Sequence, residues 1–417
     1  MSHFRRLFAA ALAGAVTIFG SVQAADWSRF RGPNGDGTSS DTIPLKWSKT
    51  ENVAWVKPIP GKGNSSPIIV KGHLFVQSAS ADGSKRFLVC MDAATGDTKW
   101  TKSLGGQPSK THAKSSLASS TPTCDGQQVY AIFWDGKAVA IHAFDMEGTE
   151  KWHASLGSYE SQHGAGMSPV VHAGKVFVNF DQDDAAEIVA FDAKTGAKVW
   201  SKERKAYRAC YSTPLVRELP GGKSEIVVFS TAGAAGYDPD NGTLNWNWAI
   251  PWQAGEMALR SVASPLLANG LLVCLTGDGS GTRYAAAIKP GVTTSVLWEN
   301  RKGKGVPYVP CPVVKGEHIY WVTDQGVAEC VELKTGKIVW FERAVNRAVS
   351  ASPILVGDQL VIIDEGGKCV ILKATPKGYD KLGDGDIGEA TFASPAIANG
   401  SLYIRSTTNL YCIREKK

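Results

Sequence analysis

From about residue 50 onward, short apolar runs alternate with polar turns at a spacing too brief for helices. One stretch shows the grammar. Pro67-Ile68-Ile69-Val70 reads as a first strand, and Lys71-Gly72 turns the chain into His73-Leu74-Phe75-Val76. A third strand, Leu88-Val89-Cys90-Met91-Asp92, ends on an acid before Ala93-Ala94-Thr95-Gly96. A fourth, half-polar strand then carries Trp100. Strands of this length, bounded by Gly and Asp turns, predict a four-stranded antiparallel meander.

The same unit recurs. It opens at Ser66-Pro67, Thr121-Pro122, Ser168-Pro169, Thr213-Pro214, Ser264-Pro265, Cys311-Pro312, Ser352-Pro353 and Ser394-Pro395, with spacings of 41 to 55 residues. A strand-built repeat of that period is the signature of a β-propeller. A glycine stands four residues before a tryptophan in Gly96/Trp100, Gly148/Trp152, Gly196/Trp200, Gly242/Trp246 and Gly336/Trp340, and Gly291/Trp298 is longer. The acid bonds turn amides, the glycine permits a left-handed turn, and the indole fills space between neighbouring blades. The unit after Pro353 has no tryptophan, and Tyr379 is expected in its place. The last unit runs out before its tryptophan strand, which residues 52–57, with Trp55, supply from the other terminus. The expectation is an all-β fold: an eight-bladed β-propeller of four-stranded antiparallel blades, closed by pairing the N-terminal strand with the C-terminal blade. The domains expected are a signal peptide at 1–24, an N-terminal extension at 25–51 and the propeller at 52–417.

The N-terminus changes the picture. Arg5 and Arg6 precede an apolar run at residues 7–19, and Val22-Gln23-Ala24 supplies small residues for cleavage. The run is too short to span a bilayer, and no later stretch is long and apolar enough for a transmembrane helix. Cleavage after Ala24 leaves 393 residues with a formal charge of +4. That charge is mild, and the basic cluster at 202–208 is broken by Glu203 and Ala206, so nucleic acid is not an expected partner. A periplasmic or secreted monomer is expected. The first cysteine is Cys90, so no lipid-modifiable cysteine follows the signal.

Of the eight cysteines, Cys90, Cys330, Cys369 and Cys412 sit at the same point of four repeats, as small buried hydrophobes do. No CxxC, CxxCH or adjacent Cys-Cys pair is present. The spacing leaves any disulfide pairing open.

The run Ala190-Phe191-Asp192-Ala193-Lys194-Thr195-Gly196-Ala197-Lys198-Val199-Trp200 resembles the repeat of the pyrroloquinoline-quinone-like (PQQ-like) β-propellers. That superfamily includes quinoprotein dehydrogenases and the propeller lipoprotein of the outer-membrane barrel assembly machine. The opening Trp27-Ser28-Arg29-Phe30-Arg31-Gly32-Pro33-Asn34-Gly35-Asp36-Gly37 is similar to exported planctomycete-type members. The resemblance implies the fold. It implies PQQ and calcium only for the dehydrogenase branch, whose adjacent Cys-Cys pair this chain lacks.

Loops of a propeller converge on the axis from distant parts of the sequence. Those between blades bring His112, Lys114, His163, Arg208, Tyr211, Arg260 and Arg347, and the candidate is an axial mouth that binds an anionic ligand. His163, Arg208 and Arg347 lie six residues before their blade's proline and Arg260 five, which groups these four as one anion-attracting ring. Inner loops add Asp135, Asp181, Asp183, Asp184, Asp278, Asp324, Asp364 and Glu365, of which Asp181 and Asp183 are the candidate metal ligands. Nothing matches a zinc spacing, a nucleophile elbow or a phosphate loop. The favoured function is therefore a non-catalytic binding or scaffold propeller of the periplasm or cell envelope, with a protein or a small anion as partner. The alternative is a PQQ-dependent dehydrogenase. N-terminal sequencing of exported protein is expected to begin at Ala25, and a start at Met1 would overturn the signal-peptide reading.

Overall fold

The structure is a computed structural model that describes residues 26–183, 185–301 and 305–415. The expected signal peptide and Asp184 lie outside them. Among the described residues every helix or strand assigned is a strand.

Ile68–Val70, His73–Ala79, Lys85–Asp92 and Thr98–Gly105 form one sheet in sequence order, each strand antiparallel to the next. The inner three strands are almost wholly buried, and the outer strand alternates because one side faces solvent. Five more sheets repeat this order. In a seventh, Val53–Pro58 pairs antiparallel with Asn409–Ile413, so the two ends of the propeller chain share one blade.

The chain does not form the expected eight like blades of four antiparallel strands. Seven sheets have that form, and the one built on residues 354–386 is a mixed sheet of six strands. Thr38–Ser39 joins its inner edge parallel to Ile354–Val356, and Lys46–Trp47 joins its outer edge parallel to Lys381–Asp386. Composition explains the addition. The outer strand reads Lys381-Leu382-Gly383-Asp384-Gly385-Asp386, and its bare glycines admit a neighbour where other blades present an indole. Trp47 lies so close to Gly385 that a methyl group there would collide with the ring. Trp47 thus occupies the gap assigned to Tyr379, which instead meets Trp340 edge-on at 6.4 Å.

Tryptophans bond six of the blades to the next. Trp152 donates from Nε1 to the Ala193 carbonyl at 2.9 Å, and its ring lies against Gly196, whose φ of 73° and lack of a side chain permit the approach. Trp55, Trp100, Trp200, Trp298 and Trp340 donate likewise to Ala93, Met146, Pro239, Leu333 and Thr375. Trp246 departs. The following turn is the longer one at Gly291, and Trp246 donates to Glu225 of its own sheet.

A ring of hydrogen bonds surrounds the axis. The amides of Ser66, Thr121, Thr213, Ser264, Cys311, Ser352 and Ser394 donate to Thr121 Oγ1, Ser168 Oγ, Ser264 Oγ, Cys311 Sγ, Ser352 Oγ, Ser394 Oγ and Ser66 Oγ, at 2.9–3.1 Å. Seven of the eight residues before a blade-opening proline thus serve the preceding blade, Thr213 being the exception among the described bonds. The extension plugs one end of this ring. Buried Arg29 donates to the Pro214 carbonyl, and buried Arg31 to those of Cys311, Pro312 and Pro353. Burial lowers the Arg29 guanidinium to about 10, still protonated at neutral pH.

Trp200 is 8% exposed. Trp200→Ala is expected to cost about 3–5 kcal/mol, the usual penalty for an aromatic removed from a packed interior. Chemical denaturation measures it, and a near-neutral result would detach the indole from the stability of the ring.

Candidate functional site

Above the plug, the ring hydroxyls and Phe30 floor a cavity of about 480 Å³. Its walls mix Tyr211, Tyr308, Phe392, Val262 and Met257 with polar groups from the loops between blades. A body of small-molecule size fits such a volume.

Of the seven ligand-binding candidates, His112, Lys114, His163, Arg208 and Tyr211 line this cavity. His112 and His163 meet edge-to-face with ring centroids 4.8 Å apart. The Ser115 amide donates to the His112 carbonyl, and the Lys114 amide to His112 Nδ1, which sets that loop. Tyr211 shares a 2.7 Å hydrogen bond with Ser161, whose Oγ also accepts from the His163 amide. Lys114 is neutralised by Glu365 at 2.6 Å. Arg208 is half-buried, and its Nη1 donates to Met257 Sδ at 3.5 Å. Among the described residues it has no carboxylate partner.

Arg260 and Arg347 stand elsewhere. Arg260 is buried behind the wall, where it donates to Gln162 Oε1 and the Ala209 carbonyl and lies 3.5 Å from Asp183. Its backbone pairs with Gly277, which turns the side chain inward. Arg347 is exposed, and its side chain lies over Gly366. The structure therefore brings His163 and Arg208 into the cavity and places the other two arginines outside its lining.

The loop acids act chiefly within their own turns. Asp135, Asp278 and Asp364 accept from nearby amides, and Asp324 takes those of Tyr308 and Val309. Asp181 is fully buried beside Arg204 and Asn179, and burial outweighs the arginine to raise its carboxyl above the usual range. Asp183 accepts from the Ala209 amide. The two candidate metal ligands thus face different partners. The Phe30 floor and the hydroxyl circuit went unassigned in the sequence, although the Ser-Pro repeat and the Arg29-Phe30-Arg31 motif mark both.

Electrostatics single out His163. Burial, then the charges of Arg260, His112 and Arg208, hold its imidazole down at about 4. In the unfolded chain it titrates near ~6.5. Its contribution to stability is therefore complete above that value and is lost as the pH falls toward 4. NMR titration is expected to find His163 neutral at pH 6, with Arg208→Gln shifting its midpoint upward. An unchanged midpoint would attribute the depression to burial and the other charges alone.

A family profile described as outer membrane protein assembly factor BamB matches residues 45–178 and 141–342. The outer membrane protein assembly factor BamB of Moranella endobia is 23% identical over 256 residues, which cover 57% of this chain and 61% of that protein. The match thus spans about three fifths of the relative's length. Among solved structures, BamB from Moraxella catarrhalis superposes with a TM-score of 0.62 at 14% identity, covering 87% of this chain and 98% of that one. Quinohemoprotein alcohol dehydrogenase from Comamonas testosteroni gives 0.63 at 13% identity, covering 94% and 81%. At such identities the structural likeness concerns the fold alone.

Proposed function

Because the chain belongs to the outer membrane protein assembly factor BamB family of PQQ-like propellers, we propose that it is a non-catalytic binding propeller of the cell envelope whose axial cavity holds a small anionic ligand. The names of its relatives support an envelope setting, and a protein partner at the loops follows the same analogy. The observation that carries the ligand is the Arg208 guanidinium, which has no carboxylate partner among the described residues and lines the cavity beside two imidazoles and aromatic walls. A guanidinium in such surroundings binds carboxylate more strongly than on open surface.

The dehydrogenase reading finds a poor donor set. Calcium takes about six to eight oxygen ligands. Asp278 is the one carboxylate among the described lining residues, and its Oδ1 already accepts from the amides of Ser280 and Thr282. The residues present do not fit a calcium-held quinone.

Calorimetric titration with benzene-1,3,5-tricarboxylate tests the proposal. Arg208→Gln is expected to weaken binding about tenfold or more, as befits a lost charge-assisted hydrogen bond of about 1.5–3 kcal/mol. Its melting temperature should match the parent's, because the loop buries little apolar area. Equal binding by parent and variant, or none by either, would overturn the anion site.

A further inference from the structure

We propose that His142, Glu150 and His153 bind one divalent transition-metal ion of borderline softness, Zn2+ or Cu2+, on the outer half of the sheet at residues 128–158. The site is remote in kind from the axial cavity and rests on neither the ligand nor the partner proposed for it.

The strands Ala138–Asp145 and Glu150–Ser158 are antiparallel neighbours, and His142 lies directly opposite His153. On a regular strand residues 150 and 153 would face opposite sides, because side chains alternate. A bulge prevents that. Ala143 pairs with Trp152 but Phe144 pairs with Glu150, so Lys151 is the extra residue and Glu150 rejoins the face of His153. The result is a convergence of three ligating atoms. Glu150 Oε1 lies 3.1 Å from His142 Nδ1 and 2.8 Å from His153 Nδ1. The three groups offer ligand atoms all within 4.8 Å of one another. Bonds of about 2.0–2.1 Å around a tetrahedral zinc ion set its ligands about 3.3 Å apart. Opening the two carboxylate contacts by a few tenths of an ångström and drawing the imidazoles together would admit the ion in place of the shared carboxylate hydrogen bonds.

The bulge belongs to the repeat, but this chemistry belongs to one blade. Equivalent positions hold Val89, Thr101 and Thr98 in one sheet, and Val189, Ser201 and Lys198 in another. In two more they hold Ala235, Asn247 and Leu244, and Ala286, Glu299 and Val296. In none of these sheets do the gathered positions hold an imidazole, whereas here two imidazoles and a carboxylate meet.

The surroundings suit a ligand set. The His142 side chain is 13% exposed and held edge-on to Phe133 at 5.5 Å, so its orientation is fixed before an ion arrives. Its ring stacks at 24° on that of His153, 5.2 Å away. His153 is 66% exposed, so remaining coordination positions open to water. Two imidazoles with one carboxylate favour zinc or copper over calcium or magnesium, which take oxygen ligands.

Cobalt titration of the mature protein, cleared of metal with a chelator, tests the assignment. One equivalent of Co2+ should bind with the visible absorption of a low-coordinate ion, and Zn2+ should displace it and raise the melting temperature. His153→Ala and Glu150→Gln should each weaken binding about tenfold or more, at least the scale seen when the support of a ligand is removed. Both side chains reach solvent, so the melting of ion-free variants checks their folding. His112→Ala, which removes the imidazole pair of the axial cavity, should bind as the parent does. Absence of binding in the parent, undiminished binding in His153→Ala, or loss in His112→Ala would each overturn the site.

Discussion

The circuit of amide-to-hydroxyl hydrogen bonds around the axis is the constraint on which the rest of the structure depends. Each member is buried, and a buried amide without an acceptor costs about 1–3 kcal/mol. The residue before each blade-opening proline must therefore carry a short acceptor, which Ser and Thr provide and the Cys311 thiol replaces once. Seven links of similar length set the radius of the axis. That radius in turn sets the width of the floor that Phe30 fills and the reach needed by Arg29 and Arg31. Among the described residues the circuit breaks between Ser168 and Thr213, on the side where Arg208, Tyr211 and His163 gather.

The legible parts of the fold were those whose cause lies inside one repeat. Strand alternation, Asp-capped turns and the glycine-to-tryptophan offset are local, and the Trp152–Gly196 contact follows from two adjacent copies of one motif. The six-stranded sheet was hidden because Lys46–Trp47 is two residues long and its partner is defined by glycines more than 300 positions away. Tyr379 was assigned to the gap by type alone, and Trp47 reached it first.

In the candidate site, proximity to the axis was readable and side-chain direction was not. Arg208 and Arg260 differ by one residue in their offset before a proline, and alternation along an extended segment turns one toward the cavity and the other into the wall. The aspartates looked like a charged rim because their turn amides are invisible in a sequence. His142 and His153 escaped notice for a related reason. Eleven positions separate them, and only the strand register and the bulge reveal that they face each other.

The plug carries a consequence for the order of events in the cell. Arg31 bonds to carbonyls 280 to 322 positions downstream, and Asp41 accepts from the amide of Gly400. The plug segment is therefore synthesised before the blades it bonds to, and it settles only after they have formed. Closing a loop of that length costs only a few kcal/mol more than closing a short one, because the entropy grows with the logarithm of length. The burden falls on time. Until the last two blades form, Trp47 and the Val53–Pro58 edge lack their partners, an apolar face and an open strand edge that favour misassociation during folding.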